Sequence, residues 1–148
     1  MINALLFSCC ALATGRTDTS SALSPVSPED YRLEITENLQ RRRFDLRLVS
    51  TTSRELCLGE HQWPNSLGQL HFAERDVFVI VADQKYYVRA QNFGYPEGTL
   101  RIPARGELTG FVSFDEIAAG WTVDPTTPRR LVFEVRPSYC NQTARPAR

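Results

Sequence analysis

The feature that most constrains the fold of this chain is the alternation of apolar and polar residues in short segments. Apolar side chains occupy every second position in 31–36 and again in 44–48. Successive side chains of a strand point to opposite faces, so this spacing predicts half-buried strands. The sequence shows neither a sustained period of 3.6 residues nor an internal repeat. It therefore predicts an all-β fold.

Further short apolar segments, separated by turn residues, extend this prediction. Strands are expected at 55–58, 77–82, 86–90 and 131–136, with 77–82 buried on both faces because it is continuously apolar. The segment 99–114 is expected to form a strand, a turn and a second strand, punctuated by Pro103, Gly106 and Gly110.

The connections between these strands carry the residues typical of turns and loops. A turn is predicted at 83–85 and loops at 91–98 and 115–130, with one helical turn at 116–119. About seven or eight short strands at such spacing are typical of an antiparallel sandwich.

Three segments resemble the immunoglobulin-like domains of exported bacterial lipoproteins. The first, 44–53, is a strand followed by a Ser/Thr-rich break. The second, 101–114, contains the Pro-Ala-Arg-Gly-Glu turn and the Gly-Phe-Val-Ser-Phe strand of that pattern, and Leu-Val-Phe-Glu-Val at 131–135 matches its final strand. The resemblance covers most of 31–140 and implies an immunoglobulin-like β-sandwich of about seven or eight strands. Because these are turn and core motifs, they bear on the fold rather than on the function.

The N-terminus bears on cellular location. Residues 1–15 are apolar but too few to span a bilayer, which needs roughly 20 residues, so they are interpreted as the end of a signal peptide. Leu6-Phe7-Ser8-Cys9 resembles the lipobox of bacterial lipoproteins, and this resemblance implies a lipid on Cys9, with Cys10 as the other candidate. The bulky Phe7 and the lack of a preceding Lys or Arg depart from the pattern. An ordinary cleavable signal and an apolar tip without function remain as alternatives.

Composition divides the chain into terminal segments and one folded domain. Residues 1–10 are the signal and lipobox remnant, and 11–30 is rich in Ser, Thr, Pro and Ala, which predicts a flexible tether. The polar segment 141–148 is expected to be a disordered tail. The folded domain is therefore predicted at 31–140.

The two remaining cysteines, Cys57 and Cys140, suit one disulfide in an oxidising compartment. The alternative is that both cysteines are buried as free thiols and form no bond with each other. Cys57, Glu60 and His61 are close in sequence, but a structural zinc site needs four ligands and the chain has no second cluster. No metal site is predicted.

Charge and motifs argue against several classes of function. The chain carries 17 basic and 17 acidic residues, which gives no net field to attract nucleic acid or an anionic membrane. Membrane association is expected only through a lipid anchor. The sequence has no nucleophile elbow, no glycine-rich phosphate loop and no His-Glu-x-x-His helix. We therefore expect no catalysis and no cofactor.

Aromatic residues on predicted loops are the candidates for binding, with two arginines near them, because aromatic and Arg side chains often anchor interfaces. These candidates are Trp63, Phe93, Tyr95, Trp121, Arg129 and Arg130. The alternative for both tryptophans is that they close the ends of the core.

The sequence thus predicts a monomeric, exported, lipid-anchored and non-catalytic binding or accessory module of the bacterial cell envelope or periplasm. Its partner would be an envelope protein or a glycan. Two other functions stay open. One is a secreted inhibitor of a hydrolase, of the protease or lysozyme type, that presents the loop 91–98. The other is a carbohydrate-binding module with a planar aromatic strip.

Overall fold

The computed structural model describes residues 26–71, 77–89, 97–117, 124 and 126–140. Within these ranges the chain forms nine strands, which are β1 (Tyr31–Asn38), β2 (Arg43–Ser50), β3 (Leu56–Gly59), β4 (Phe78–Val81), β5 (Gln84–Tyr87), β6 (Thr99–Ile102), β7 (Glu107–Ser113), β8 (Arg129–Val132) and β9 (Ser138–Tyr139). Single 3₁₀ turns lie at Pro28–Asp30, Glu60–Gln62 and Phe114–Glu116. The prediction of an all-β fold is confirmed.

The strands form three antiparallel sheets of three strands each, in the orders β1-β2-β7, β6-β3-β9 and β5-β4-β8. A single cluster of buried apolar residues joins all three sheets. Its fully buried members include Phe44, Leu48, Leu56, Ile102 and Val79. No helix in the described part of the chain is long and apolar enough to cross a membrane.

The alternation of apolar and polar residues in 31–36 and 44–48 places one face of the first sheet on the core. β1 and β2 form a hairpin in which Tyr31 lies opposite Ser50 and Asn38 opposite Arg43. The side chains of Phe44, Leu46 and Leu48 are buried, whereas the odd-numbered side chains between them point outward. The predicted half-buried strands are confirmed.

The segment 99–114 forms the predicted strand, turn and strand, but its two strands belong to different sheets. β6 pairs with β3, and β7 pairs with β2. In the turn, the Gly106 N–H donates to the Pro103 carbonyl over 2.8 Å, and Arg105 has a left-handed φ of 55°. This turn therefore carries the chain from one sheet to the other.

The predicted hairpin around residue 80 is present, with two corrections. Its turn is Ala82–Asp83 rather than 83–85, and β5 begins at Gln84. β4 is not buried on both faces, because Val79 is fully buried while Phe78 and Ile80 are half-buried. An apolar run in an antiparallel sheet can leave one face to solvent, which the run itself does not indicate.

The C-terminal segment departs from the strand predicted at 131–136. β8 covers Arg129–Val132 and β9 pairs with β3, two residues against two. Leu131, Phe133 and Val135 are all buried, so alternating burial continues after the ladder ends. The predicted helical turn at 116–119 instead lies at Phe114–Glu116.

The folded part begins before residue 31. The Ser27 side chain caps the turn Pro28–Asp30, and the Asp30 carbonyl accepts from the Thr51 N–H over 2.9 Å. The polar composition of this segment suggested a tether, but hydrogen bonds to the domain hold residues 26–30 in place. Residues 1–25 and 141–148, with the candidate lipid sites Cys9 and Cys10, lie outside the described residues.

The predicted pairing of Cys57 with Cys140 is confirmed. Their Cα atoms lie 4.8 Å apart, and the disulfide joins β3 to the residue that follows β9. The Cys140 N–H also donates to the Glu55 carbonyl over 3.0 Å. The C-terminal end is thus fixed to the middle of its sheet.

Candidate functional site

A groove of about 860 Å³ follows the open edge of β7. β7 is an edge strand of its sheet, and the groove continues from that edge onto the outer face, where Asp45 and Arg47 of β2 also line it. Trp63, Pro64 and Asn65 form one wall, and Thr109 and Phe111 of β7 form the other. This is a volume in which proteins commonly bind small ligands.

Trp63 closes the core beneath this groove. Its side chain is only 3% exposed, and its indole N–H donates to the Thr109 carbonyl over 3.3 Å. The ring packs on Gly110, where a Cβ atom would lie 2.5 Å from the indole nitrogen. Its centroid is 6.0 Å from that of Phe133. Of the two interpretations of Trp63 from the sequence, the structure supports the one that places it in the core.

The loop that carries Trp63 is fixed to β7 by hydrogen bonds. The Asn65 side-chain oxygen accepts from the N–H groups of Leu67 and Gln69 over 2.9 and 3.0 Å. Gly68 has a φ of 76°, and its carbonyl accepts from the Ser113 N–H over 3.1 Å. This left-handed position favours glycine. The wall of the groove is thereby held in one shape before any ligand arrives.

Ion pairs cover the outer face of β1-β2-β7 beside the groove. Arg47 lies 3.0 Å from Glu34 and 2.5 Å from Glu107. Its hydrogen bond holds the pKa of the Glu34 carboxyl below the ordinary value. In the same way, the hydrogen bond that Arg47 donates to the Glu107 carboxylate contributes most to raising the pKa of Arg47.

Arg43 adds a second compensated charge within the groove. Its guanidinium lies 4.5 Å from the centre of the Phe111 ring, and its Nε is 2.6 Å from an Asp45 oxygen. Because these opposite charges neutralise each other, the groove suits a polar ligand without strong net charge.

Arg129 was predicted to contact a partner, but its side chain is buried in the structure. Its side chain is 2% exposed, its Nε lies 2.6 Å from a Glu37 oxygen, and its Nη2 donates to the Asp124 carbonyl over 2.6 Å. A side chain so enclosed offers no surface to a partner, and it instead ties β8 to β1. Arg130, the next residue, is exposed on the opposite face of β8. The other predicted contact residues, Phe93, Tyr95 and Trp121, lie outside the described residues.

A second surface, which was not predicted from the sequence, is the outer face of β5-β4-β8. Six side chains share this face by the strand register: Phe78, Ile80, Lys85, Tyr87, Arg130 and Val132. Tyr87 is 54% exposed, and its ring centre lies 6.1 Å from that of Phe78. The sequence does contain a signal for this surface. Lys85 and Tyr87 are two positions apart in β5, so a cation and an aromatic ring lie on the same face of the strand.

Among the residues that the structure describes, no group of three or more His, Cys, Asp or Glu side chains could hold a metal ion. One buried acid, Glu116, is 8% exposed and accepts from the Gln69 amide over 3.2 Å. This contact ties the loop before β4 to the 3₁₀ turn Phe114–Glu116.

No family model matches this chain, and no curated protein or solved structure is significantly similar to it. The fold and the two surfaces define an all-β domain closed by a disulfide, with a polar groove on one sheet edge and an open face on another sheet.

Proposed function

We propose that this chain is an exported, lipid-anchored and non-catalytic binding or accessory module of the bacterial cell envelope. The observation that carries the proposal is the pairing of Cys57 with Cys140. Structural disulfides persist in oxidising compartments and are rare in the cytosol, so this pair favours export.

The groove beside β7 supports a binding role. Its wall is fixed by the hydrogen bonds of Asn65 and Gly68, so a ligand would not have to order that loop. Its mixture of compensated charges with the Phe111 ring suits a polar segment of an envelope protein or a glycan. The module would act as a monomer.

The attachment would be made through Cys9 or Cys10. A tether from there to residue 26 has about 15 residues and would reach roughly 20 Å as a flexible chain. That distance holds the domain near a membrane surface without fixing its orientation.

We further propose that the sheets are arranged as an immunoglobulin-like sandwich. The turn at Pro103–Gly106 passes from the sheet of β6 to the sheet of β7, and one core lies between the sheets. An experimental structure in which β1-β2-β7 faces β6-β3-β9 across this core would support the arrangement. Continuous hydrogen bonding from β7 to β6 in a closed barrel would contradict it.

Intact-mass analysis of protein purified from the native host tests the functional proposal. We expect a lipid-sized mass increase on a chain that starts at Cys9 or Cys10, with Cys57 and Cys140 alkylated only after reduction. An unmodified chain with four free thiols would contradict the export, the anchor and the disulfide together.

A further inference from the structure

We propose that the outer face of β5-β4-β8 binds an anionic polysaccharide whose sugar units carry carboxylates. This inference names a ligand class for the proposed binding module and rests on that function. It uses a surface separate from the groove beside β7.

The face is organised as two rows that run across the three strands. Phe78 lies between Tyr87 and Val132, which forms an apolar row. Ile80 lies between Lys85 and Arg130, which forms a cationic row. Alternate residues of a strand are about 7 Å apart, so the two rows are close neighbours on one face.

Tyr87 provides the stacking platform. It is 54% exposed, and its ring meets Phe78 at 62° between the ring planes. The Lys85 Nζ lies 4.4 Å from the centre of the Phe78 ring, which holds the ammonium group over that ring. Tyr87 thus presents an open ring with a fixed cation next to it, and aromatic rings of this kind pack against the apolar face of a sugar.

The two cations are set at a fixed spacing. Lys85 and Arg130 flank Ile80 from opposite sides of β4, which puts their backbones about 10 Å apart. Neither forms an ion pair with another residue in the described part of the chain, whereas Arg47 has two acidic partners. Two cations that have no acidic partner among the described residues, beside one exposed ring, complement a polymer that repeats its negative charge.

One acidic residue lies at the rim. Asp83 of the hairpin turn lines a shallow depression of about 300 Å³ together with Ile80 and Arg130. Its carboxylate would weaken the attraction of that end of the face for an anion. Removing this charge is therefore expected to strengthen binding.

The composition of the face favours a polysaccharide over a lipid surface. Peripheral membrane binding buries apolar side chains below the headgroups. Here the most exposed ring is that of Tyr87, which carries a hydroxyl group, and Lys85 covers the ring of Phe78. The face therefore offers little apolar surface for insertion, whereas its two rows fit a polymer that carries both sugar rings and negative charges.

Affinity electrophoresis of the full chain tests the proposal, with alginate as the carboxylated polymer and dextran as the neutral one. We expect retardation by alginate that falls as salt is added, and none by dextran. The double variant Lys85→Gln/Arg130→Gln should lower the affinity about tenfold. Tyr87→Ala should lower it about fivefold, and Asp83→Asn should raise it about twofold.

The matched control is Arg32→Gln/Arg101→Gln, which removes two exposed arginines on the other two sheets. It should keep the wild-type retardation, and circular dichroism should show the same fold for all variants. An equal loss in the control, equal binding to dextran, or no retardation by alginate would overturn the proposal. So would binding to phosphatidylglycerol vesicles together with no binding to alginate.

Different results would contradict the proposed ligand and the proposed envelope function. A disulfide-bonded, lipidated chain that does not bind alginate would contradict only the proposal of an anionic polysaccharide as the ligand. A chain with free thiols and no lipid would remove the envelope function, whatever it does with alginate.

Discussion

Gly110 shows how the absence of one side chain shapes the site. Trp63 and Pro64 occupy the space over β7 that a side chain at position 110 would fill. The Trp63 indole then reaches the Thr109 carbonyl, and the same ring seals the core below the groove. A glycine in the middle of a strand often marks such a close approach.

Gly110→Ala should therefore destabilise the protein by about 1–3 kcal/mol, because the new methyl group overlaps the indole. Urea unfolding measures the loss. Trp63 fluorescence, followed in a Trp121→Phe background, should shift to longer wavelength as the ring becomes exposed. Thr109→Ala, at the neighbouring exposed position, should change the stability by less than about 0.5 kcal/mol. Equal effects of the two substitutions would contradict this role of Gly110.

Tyr139 is expected to make the stability of the protein depend on pH. Its hydroxyl donates to the Asp30 carboxylate, and this hydrogen bond raises the pKa of Tyr139 above 10.0. Because the folded-state pKa exceeds the unfolded one, the contribution to stability is complete below pH 10 and is lost as the pH rises through the folded-state value. The free energy of unfolding of the wild type should then fall more steeply above about pH 10 than that of Tyr139→Phe. Parallel curves for the two proteins would show that this bond contributes no pH dependence.

Turns between the strands place several residues other than glycine in the left-handed conformation. Ala82 and Asp83 have φ values of 45° and 68° in the two-residue turn between β4 and β5. Hairpin turns with two positive φ values favour Asn and Gly, because a Cβ atom is strained there. Arg105 occupies a similar position, with a φ of 55°.

Ala82→Asn should accordingly stabilise the protein by about 0.5–1 kcal/mol, since Asn tolerates the left-handed conformation better than Ala. Thermal unfolding should show a midpoint higher by a few degrees, on the order of 2–5 °C. Ala104→Asn is the control, because Ala104 lies in an exposed turn and its φ is not positive. A similar gain in both variants would argue against strain at Ala82.

The same elements show what the sequence could and could not predict. Alternation in 31–36 and 44–48 predicted β1 and β2, because each has one face on the core and one in solvent. The segment 131–136 was predicted as a strand, but the ladder ends at Val132, although Phe133 and Val135 beyond it are still buried. Burial follows from the residue types, whereas pairing depends on which distant strand lies alongside.

The two candidate surfaces could not be predicted from the sequence for a related reason. Trp63 was a candidate for binding because it lies on a predicted loop, but it is buried, whereas the exposed Tyr87 lies on a strand with one open face. Arg129 and Arg130 are neighbours in sequence, yet successive side chains of a strand point to opposite faces. Arg129 therefore contacts Glu37, and Arg130 lies on the outer face. Which face of a strand meets solvent is decided by the packing of the three sheets.

At the scale of the whole molecule, the disulfide holds together parts that are far apart in sequence. Cys57 and Cys140 are separated by 83 positions, and β9 pairs with β3 through only two residues. The bonds of Tyr139 to Asp30 and of Thr51 to the Asp30 carbonyl then connect the C-terminal end to residues 26–30. The C-terminal end thus depends on one short pairing, and the Tyr139 bond links it to the N-terminal end of the folded part.

Cys57→Ser/Cys140→Ser should lower the free energy of unfolding by about 2–4 kcal/mol, because it restores to the unfolded chain the freedom that the cross-link removes. The loss should not be uniform along the chain. Without the cross-link, two paired residues cannot hold the C-terminal end, so the N–H groups of residue 140 and Thr51 should exchange with solvent before those of β2. Hydrogen exchange with and without reductant measures this order in the wild type and in the double variant. If reduction leaves both the urea midpoint and the exchange of Thr51 unchanged, the end segments are held by their hydrogen bonds and the disulfide is not what joins them to the sheet.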